Sequence, residues 1–213
     1  PLNSILILGQ QLADNAAGNL SNKQVEFARN IHSAGSDLLM LINDILSFAR
    51  LEAGSMQFDV HPLAAHEVLA SVESLVAPQA EARGVAYTWE PCDPSLRLLG
   101  DAERVRQVLL NLVGNAIKFT RAGGWVLLSC AADEGWVELR VRDNGVGIPP
   151  EEHERIFDPF QQVGRRLSQP QEGVGLGLAI SRDLARGMSG DLTVQSTPGE
   201  GSVFTLRLPR AGS

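Results

Sequence analysis

Three polar residues stand at helical spacing near the middle of this chain of 213 residues. Asn111, Asn115 and Lys118 occupy positions i, i+4 and i+7, so a helix would bring them to one face. A carboxamide oxygen suits a hard cation such as Mg²⁺, which also takes triphosphate oxygens, and a lysine can neutralise phosphate charge. The spacing therefore indicates a metal–phosphate site, with two asparagines on a solvated helix face as the alternative.

An acid followed by glycines comes directly after a strand-like segment at 137–141. Asp143 is succeeded by Gly145 and Gly147, and glycine lets the backbone approach a flat ring because no Cβ intervenes. A carboxylate can accept a hydrogen bond from the exocyclic amine of adenine, whereas guanine presents an oxygen at that position. The run predicts an adenine-reading acid, although an ordinary Asp-Asn-Gly turn at a strand end is the alternative.

Further glycines precede the last helix-like segment, in Gly173-Val174-Gly175-Leu176-Gly177. The free amides and the positive end of a helix suit phosphate oxygens. The segment is not a P-loop, because no Gly-Lys-Ser/Thr follows, and the residues before it are too polar for the strand of a dinucleotide fingerprint. It predicts a phosphate-binding turn, with a plain tight loop as the alternative.

Two aromatic residues, Phe157 and Phe160, flank Pro159 between these glycine segments. We interpret them largely as core aromatics. Residues 161–172 are polar and have the composition of a mobile segment. Within it, Arg165 and Arg166 would either reach a γ-phosphate when the segment closes or remain solvated loop charges.

Taken in order, these four stretches closely resemble the N, G1, F and G2 boxes of the sensor histidine kinase ATP-binding domain. The resemblance implies that ATP and Mg²⁺ are bound, with Asn115 on the metal, Asn111 near the γ-phosphate and Asp143 on adenine. It also implies a lid anchored by Phe157 and Phe160, and catalytic roles for Asn111 and Lys118. The implied nucleotide-binding residues are Asn111, Asn115, Lys118, Phe119 (packed at the base), Asp143, Gly145, Gly147, Gly173, Gly175, Leu176 and Gly177. Many family members have threonine where Val174 stands; the amides remain, so we expect only a small effect.

Two helices open the chain and must be placed relative to this site. The first runs from Leu2 to about Leu12, residues 14–19 have turn chemistry, and Ser21 is the predicted N-cap of a second helix that ends near Glu52, with Gly54 beyond it. Apolar residues of the second helix alternate steps of three and four: Ala28, Ile31, Gly35, Leu38, Ile42, Ile45 and Ala49. A hairpin with so much apolar surface predicts a homodimer joined through a four-helix bundle. Packing of the hairpin on its own C-terminal domain is the alternative.

The remaining elements mix strands and helices without strict βαβ alternation. Helical spacing covers 63–84, 101–119 (with Asp101 as N-cap) and 174–188, and strand patterns cover 85–90, 125–131, 136–141, 191–196 and 202–208. We predict an α+β chain: a two-helix hairpin followed by an α/β sandwich with a mixed sheet. The predicted domains are a dimerisation and phosphotransfer hairpin at 1–54, a linker at 55–62 and a catalytic ATP-binding domain at 63–213.

Composition excludes several other classes. The net charge of −7 argues against binding nucleic acid through a basic field. Cys92 and Cys130 have no metal-ligand spacing and are interpreted as buried thiols, as in a reducing compartment. No apolar run approaches the ~20 residues of a membrane-spanning helix, so we expect a cytoplasmic fragment without direct membrane contact, from a protein with any anchor upstream.

The phosphoacceptor histidine of the family lies in a motif that this chain enters at Pro1-Leu2-Asn3. We therefore expect the chain to be a piece of a longer protein, with the acceptor immediately upstream. Of the four histidines present, His32 lies in the hairpin but lacks a following acid, and it is interpreted as a surface or interface residue.

The resemblance implies a kinase core that transfers the γ-phosphoryl of ATP to a histidine and then to an aspartate of a response-regulator receiver domain. The hairpin sequence favours the hybrid-kinase branch of the family. One alternative is a degenerate kinase that senses nucleotide or only dimerises. Another is an ATPase of the topoisomerase, mismatch-repair or chaperone type, but those usually have glutamate as the water-activating base where Asn111 stands. An anti-sigma kinase, which lacks the hairpin, is a weaker option.

Overall fold

The first part of the chain forms a long helical hairpin. The structure is a computed structural model that describes residues 1–133, 135–161 and 175–212. Helix α1 spans Leu2–Asp14 and helix α2 spans Asn22–Glu52. Ser21 caps α2 as predicted: its hydroxyl accepts from the Gln24 amide, and the Gln24 side chain accepts from the Ser21 amide, which completes a capping box. Gly54 follows the helix with a positive φ of 60°, as the C-terminal signal predicted.

Small residues bring the two hairpin helices together. A Cβ at Gly9 would lie 3.3 Å from the Cβ of His32, and one at Gly35 would lie 2.9 Å from Leu6 Cδ2. The buried hairpin positions are Gly9, Ala13, Ala28 and Gly35. The large apolar side chains instead remain exposed in the single chain: Ile5, Ile7, Leu8, Leu12, Phe27, Ile31, Leu38, Met40, Ile42, Ile45 and Leu46. The single hairpin thus leaves most of these apolar side chains, which we call the seam, uncovered.

The second part of the chain is a layer of helices over a mixed sheet. The helices are α3 (Ala65–Ala82), α4 (Ala102–Phe119) and α5 (Gly177–Gly187). The strands are β1 (His61–Ala64), β2 (Ala86–Trp89), β3 (Arg97–Gly100), β4 (Trp125–Ala132), β5 (Trp136–Asp143), β6 (Asp191–Thr197) and β7 (Gly201–Pro209). Five strands pair in the order β2-β4-β5-β7-β6, parallel only between β2 and β4, and β1 pairs antiparallel with β3. The predicted fold class is confirmed.

Alternating burial along the strands places the core between the sheet and the helices. In β5, Val137, Leu139 and Val141 are fully buried, whereas Arg140 and Arg142 are exposed. The buried stripe of α4 packs against this face through Val105, Val108, Leu109, Leu112 and Val113. Among the described residues, no helix is long and apolar enough to cross a membrane.

Sequence reasoning missed two short strands. His61 and Pro62, predicted as linker, pair with Gly100 and Leu99 in the β1–β3 ladder, and the helix predicted from residue 63 begins at Ala65. Apolar helical spacing ran on across Leu63 and hid the boundary. Helix α5 also starts later than predicted, at Gly177, because Gly175 and Leu176 lie outside it; Val174, the predicted start, is outside the described residues.

Candidate functional site

Helix α4 presents the polar face that its spacing predicted. Asp101 caps the helix by accepting from the amides of Glu103 (3.0 Å) and Arg104 (3.2 Å). The side chains of Asn111 and Asn115 are half-buried and lie next to each other, with 3.5 Å between Asn115 Nδ2 and Asn111 Oδ1. The two asparagines therefore share a face, as their spacing predicted.

Asn111 joins this face to the start of helix α5. Its Nδ2 donates to Ser181 Oγ at 2.9 Å, and Ser181 is only 2% exposed. A Cβ at Gly177 would lie 2.5 Å from Asn111 Oδ1, so glycine is what lets the two helices meet here. Ser181 was missed from the sequence; its spacing of four residues from Gly177, on the same helix face, is the signal that could have found it.

The N-terminus of α5 points its amides into the same region. Among the described residues, no side chain caps this helix, whose N-cap is Leu176. Gly175 has a φ of +77°, its carbonyl accepts from the Phe160 amide at 2.9 Å, and a Cβ on it would meet Gln161 O at 2.5 Å. An uncapped helix N-terminus with free amides suits an anion. Gly173, the first glycine of the predicted turn, lies outside the described residues.

Lys118 and Phe119 end helix α4 at the surface. The Lys118 Nζ lies 4.9 Å from the centroid of the Phe119 ring, which is 44% exposed. The ring is therefore accessible in this structure, and the expected packing of Phe119 at the base stays a prediction. Its backbone carbonyl is the part that faces inward, where it accepts from the Val146 amide at 3.3 Å.

Asp143 is the last residue of β5, and its side chain is enclosed by backbone. The residue is 6% exposed, and Oδ1 accepts from the Gly145 amide at 2.8 Å. Burial raises the pKa of the Asp143 carboxyl, and hydrogen bonds from the Gly145 and Ser202 backbones offset part of that rise. A buried acid at the end of a strand, held by amides, fits the predicted adenine-reading residue.

The glycines after Asp143 allow close packing within the protein itself, and their approach to a purine ring stays a prediction. A Cβ at Gly145 would lie 2.6 Å from Phe119 O, and one at Gly147, where φ is +69°, would lie 2.0 Å from Thr197 O. The close approach that they permit is to the protein's own backbone. They pack the loop 144–149 between the end of α4 and the β6–β7 turn.

The two aromatic residues of the Phe-Asp-Pro-Phe segment differ in exposure. Phe157 is 4% exposed, with the Arg182 guanidinium 4.5 Å from its ring centroid, as expected of a core aromatic. That interpretation is wrong for Phe160, which is 62% exposed. Phe160 has a φ of +65°, and its ring lies edge-on to Phe48 of α2, with 6.3 Å between centroids. Arg165, Arg166 and the predicted lid after Gln161 lie outside the described residues.

Two family models match the chain. Residues 100–212 match the histidine kinase-, DNA gyrase B- and HSP90-like ATPase model, and residues 1–54 match the His kinase A (phospho-acceptor) domain. The first match covers the α4 face and the start of α5, which the Asn111–Ser181 hydrogen bond joins, and it also covers Asp143.

Two curated relatives are similar to this chain over nearly its whole length. The aerobic respiration control sensor protein ArcB of Escherichia coli (strain K12) is 38% identical over 98% of this chain. The sensor protein GacS of Pseudomonas syringae pv. syringae is 37% identical over 99% of it. The chain spans 27% and 24% of the lengths of these two relatives.

A solved structure supports the same placement of elements. The crystal structure of full-length ShkA in complex with AMPPNP matches the whole chain with a TM-score of 0.80 and 36% identity, over 44% of its own length. This chain's hairpin and sheet layer thus have counterparts in one polypeptide that was solved with an ATP analogue.

Proposed function

Because the chain belongs to the histidine kinase-, DNA gyrase B- and HSP90-like ATPase family, and its hairpin to the phospho-acceptor family, we propose that it is the kinase core of a sensor histidine kinase. One observation carries the proposal: the half-buried asparagine face of α4 meets the N-terminus of α5, which no described side chain caps, and the Asn111–Ser181 hydrogen bond joins the two.

ATP binds between these elements and the end of β5. Asp143 accepts a hydrogen bond from the exocyclic amine of adenine. The amides that open α5 bind phosphate oxygens, because they have no intrahelical partner and lie at the positive end of the helix. Lys118, at the end of the asparagine face, adds positive charge for the phosphates.

Asn115 fits a magnesium ligand. Its Nδ2 faces Asn111, and within residues 1–133, 135–161 and 175–212 its Oδ1 accepts no hydrogen bond. An amide oxygen is a hard ligand of the kind that Mg²⁺ prefers. When bound, Mg²⁺ would neutralise charge on the triphosphate.

The reaction is transfer of the γ-phosphoryl group to an imidazole. A histidine ring nitrogen attacks the γ-phosphorus, the N–P bond forms, and the bond from phosphorus to the β–γ bridging oxygen breaks, which releases ADP. The phosphoryl group then passes to an aspartate of a response-regulator receiver domain. The contribution of this chain is to position the phosphates and balance their charge.

Dimerisation of the hairpin completes the proposal. The exposed apolar seam of α1 and α2 would be buried in a four-helix bundle with a second copy. Within the part of the chain that the structure describes, it is the C-terminal end of α2, through Phe48 and Leu51, that packs on the ATPase part. Packing within one chain therefore leaves most of the seam for a partner.

Isothermal titration calorimetry tests nucleotide binding. The chain should bind ATP with Mg²⁺, more weakly in the presence of a chelator, and Asp143→Asn should weaken binding at least tenfold, by about 1.4 kcal/mol. Asp37→Asn is the matched control, because Asp37 is an exposed acid on α2, away from the site. No heat with ATP at millimolar concentration, or equal affinities for the unchanged chain and Asp143→Asn, would refute the proposal.

A further inference from the structure

The turn between β6 and β7 packs directly against the loop that follows Asp143. The Gly199 amide donates to Val146 O at 2.8 Å, and the Gly147 Cα lies so close to Thr197 O that a side chain has no room. Gly201, with φ at +110°, approaches Asp143 O in the same way. The end of β5 and the loop 144–149 are therefore held by a turn more than fifty residues later in the chain.

One hydroxyl lies at the centre of this contact. Ser196 Oγ accepts from the Ile148 amide at 2.8 Å, donates to Gly201 O at 2.8 Å and lies 2.9 Å from Ser202 Oγ. A serine hydroxyl has one proton and two lone pairs. Because the Ser196 proton goes to Gly201 O, the Ser202 hydroxyl must be the donor between the two serines.

This donor assignment fixes what Ser202 can offer to a ligand. With its proton directed at Ser196, Ser202 Oγ has only acceptor capacity left. Ser202 is the register partner of Asp143 in the β5–β7 ladder, so both side chains lie on the same face of the sheet. Both residues are only 6% exposed. Two adjacent acceptors favour a ligand group that donates hydrogen bonds, such as the exocyclic amino group of adenine, which has two N–H bonds.

We propose that Ser196 is a positioning residue for purine recognition: its hydroxyl ties the loop 144–149 to the β6–β7 turn and holds Ser202 as a hydrogen-bond acceptor beside Asp143. This inference rests on the proposed function, because it concerns the site that would hold ATP. Ser196 acts through Ile148 and Ser202, without touching the nucleotide itself.

The test uses ATP binding and thermal unfolding of the whole chain. Ser196→Ala should weaken ATP binding about tenfold, the equivalent of one hydrogen bond, and Ser196→Thr, which keeps the hydroxyl, should stay within about twofold of the unchanged chain. Ser71→Ala is the matched control: it removes a 2.7 Å hydroxyl–carbonyl hydrogen bond on α3 and should leave ATP affinity unchanged.

A double-mutant cycle separates positioning from general destabilisation. Ser202→Ala should also weaken ATP binding about tenfold, and the double variant with Ser196→Ala should lose no more than either alone, because both remove the same acceptor. Hydrogen exchange at the Ile148 amide should rise in nucleotide-free Ser196→Ala and return to normal in Ser196→Thr.

The outcomes distinguish this inference from the proposed function. If the unchanged chain binds no ATP, the proposed function fails and this inference falls with it. If the unchanged chain binds ATP and Ser196→Ala binds equally well, or if the two serine variants combine to a loss of about a hundredfold, this inference alone is refuted.

Discussion

Two glycines near the asparagine face of α4 should respond in opposite ways to replacement by alanine. Gly114 lies within α4, and a Cβ on it would meet no atom of the described residues within 4 Å. Gly177 opens α5, and a Cβ there would lie 2.5 Å from Asn111 Oδ1 and 3.1 Å from Asn111 Nδ2. Both positions are helical, so helix propensity alone favours alanine by about 0.5–1 kcal/mol at each.

The difference arises from what Asn111 must do. In Gly177→Ala, the Asn111 carboxamide has to rotate away from the new methyl group and gives up its hydrogen bond to Ser181. The Ser181 hydroxyl is then buried without a partner, which destabilises by about 1–3 kcal/mol. After the propensity gain is subtracted, the net loss lies between about 0 and 2.5 kcal/mol, and its centre of about 1 kcal/mol corresponds to about 2–4 °C in the unfolding midpoint for a chain of this size.

Calorimetric unfolding and ATP titration measure both effects. Gly114→Ala should raise the unfolding midpoint by about 1–4 °C and leave ATP affinity unchanged. Gly177→Ala should lower the midpoint and weaken ATP binding about tenfold, as Asn111→Ala should. In an Asn111→Ala background the obstruction is gone, so Gly177→Ala should become neutral or stabilising. Equal behaviour of the two glycine variants, or a loss at Gly177 that persists without the Asn111 side chain, would refute this reasoning.

Three further predictions concern the pKa of Asp143, phosphorylation of His32 and the apolar seam of the hairpin. Burial raises the pKa of Asp143 above 3.8. The stability that protonation of Asp143 contributes is therefore present below about pH 3.8 and is lost as the pH rises through the raised pKa. Asp143→Asn should not lower the unfolding midpoint at pH 7, and a marked loss would contradict the assignment. With γ-labelled ATP, the chain alone should acquire no acid-labile label on His32, whose Cβ packs against Gly9; label that disappears in His32→Gln would overturn this. Leu38→Lys, at a seam position 47% exposed in one chain, should shift the chain to monomer in sedimentation equilibrium, while Val60→Lys, 44% exposed outside the hairpin, should not; a dimer that survives Leu38→Lys would place the interface elsewhere.

Local signals predicted the helices and most strands well. The capping box at Ser21, the Asp101 cap and the alternation along β4 and β5 depend on residues close in sequence, and the structure has them where they were expected. The sequence did not predict strands β1 and β3, because each is four residues long and is defined by pairing across about 35 residues of chain.

The parts of the site that the sequence did not reveal depend on tertiary contacts. Ser181 and Ser196 are ordinary serines in the sequence, and each gains its role from a partner on another element: Asn111 for the first, Ile148 for the second. The exposure of Phe160 could not be predicted either, because it follows from a positive φ after Pro159 and a contact with α2. Motif spacing predicted the ligand chemistry, whereas the supporting hydrogen bonds required the fold.

The orientation of Asn111 bears on whether this site transfers or hydrolyses phosphate. Hydrolysis needs a group that takes a proton from water, and a carboxamide at neutral pH cannot do so. Here the Asn111 amide nitrogen is committed to Ser181 Oγ, which turns its oxygen towards Asn115 Nδ2 and the start of α5. The side chain is thus held between α4 and the start of α5, the two elements that we propose to face the phosphates. A neutral imidazole needs no deprotonation before it attacks phosphorus, whereas water does. An asparagine in place of a base therefore favours phosphoryl transfer to an imidazole over hydrolysis.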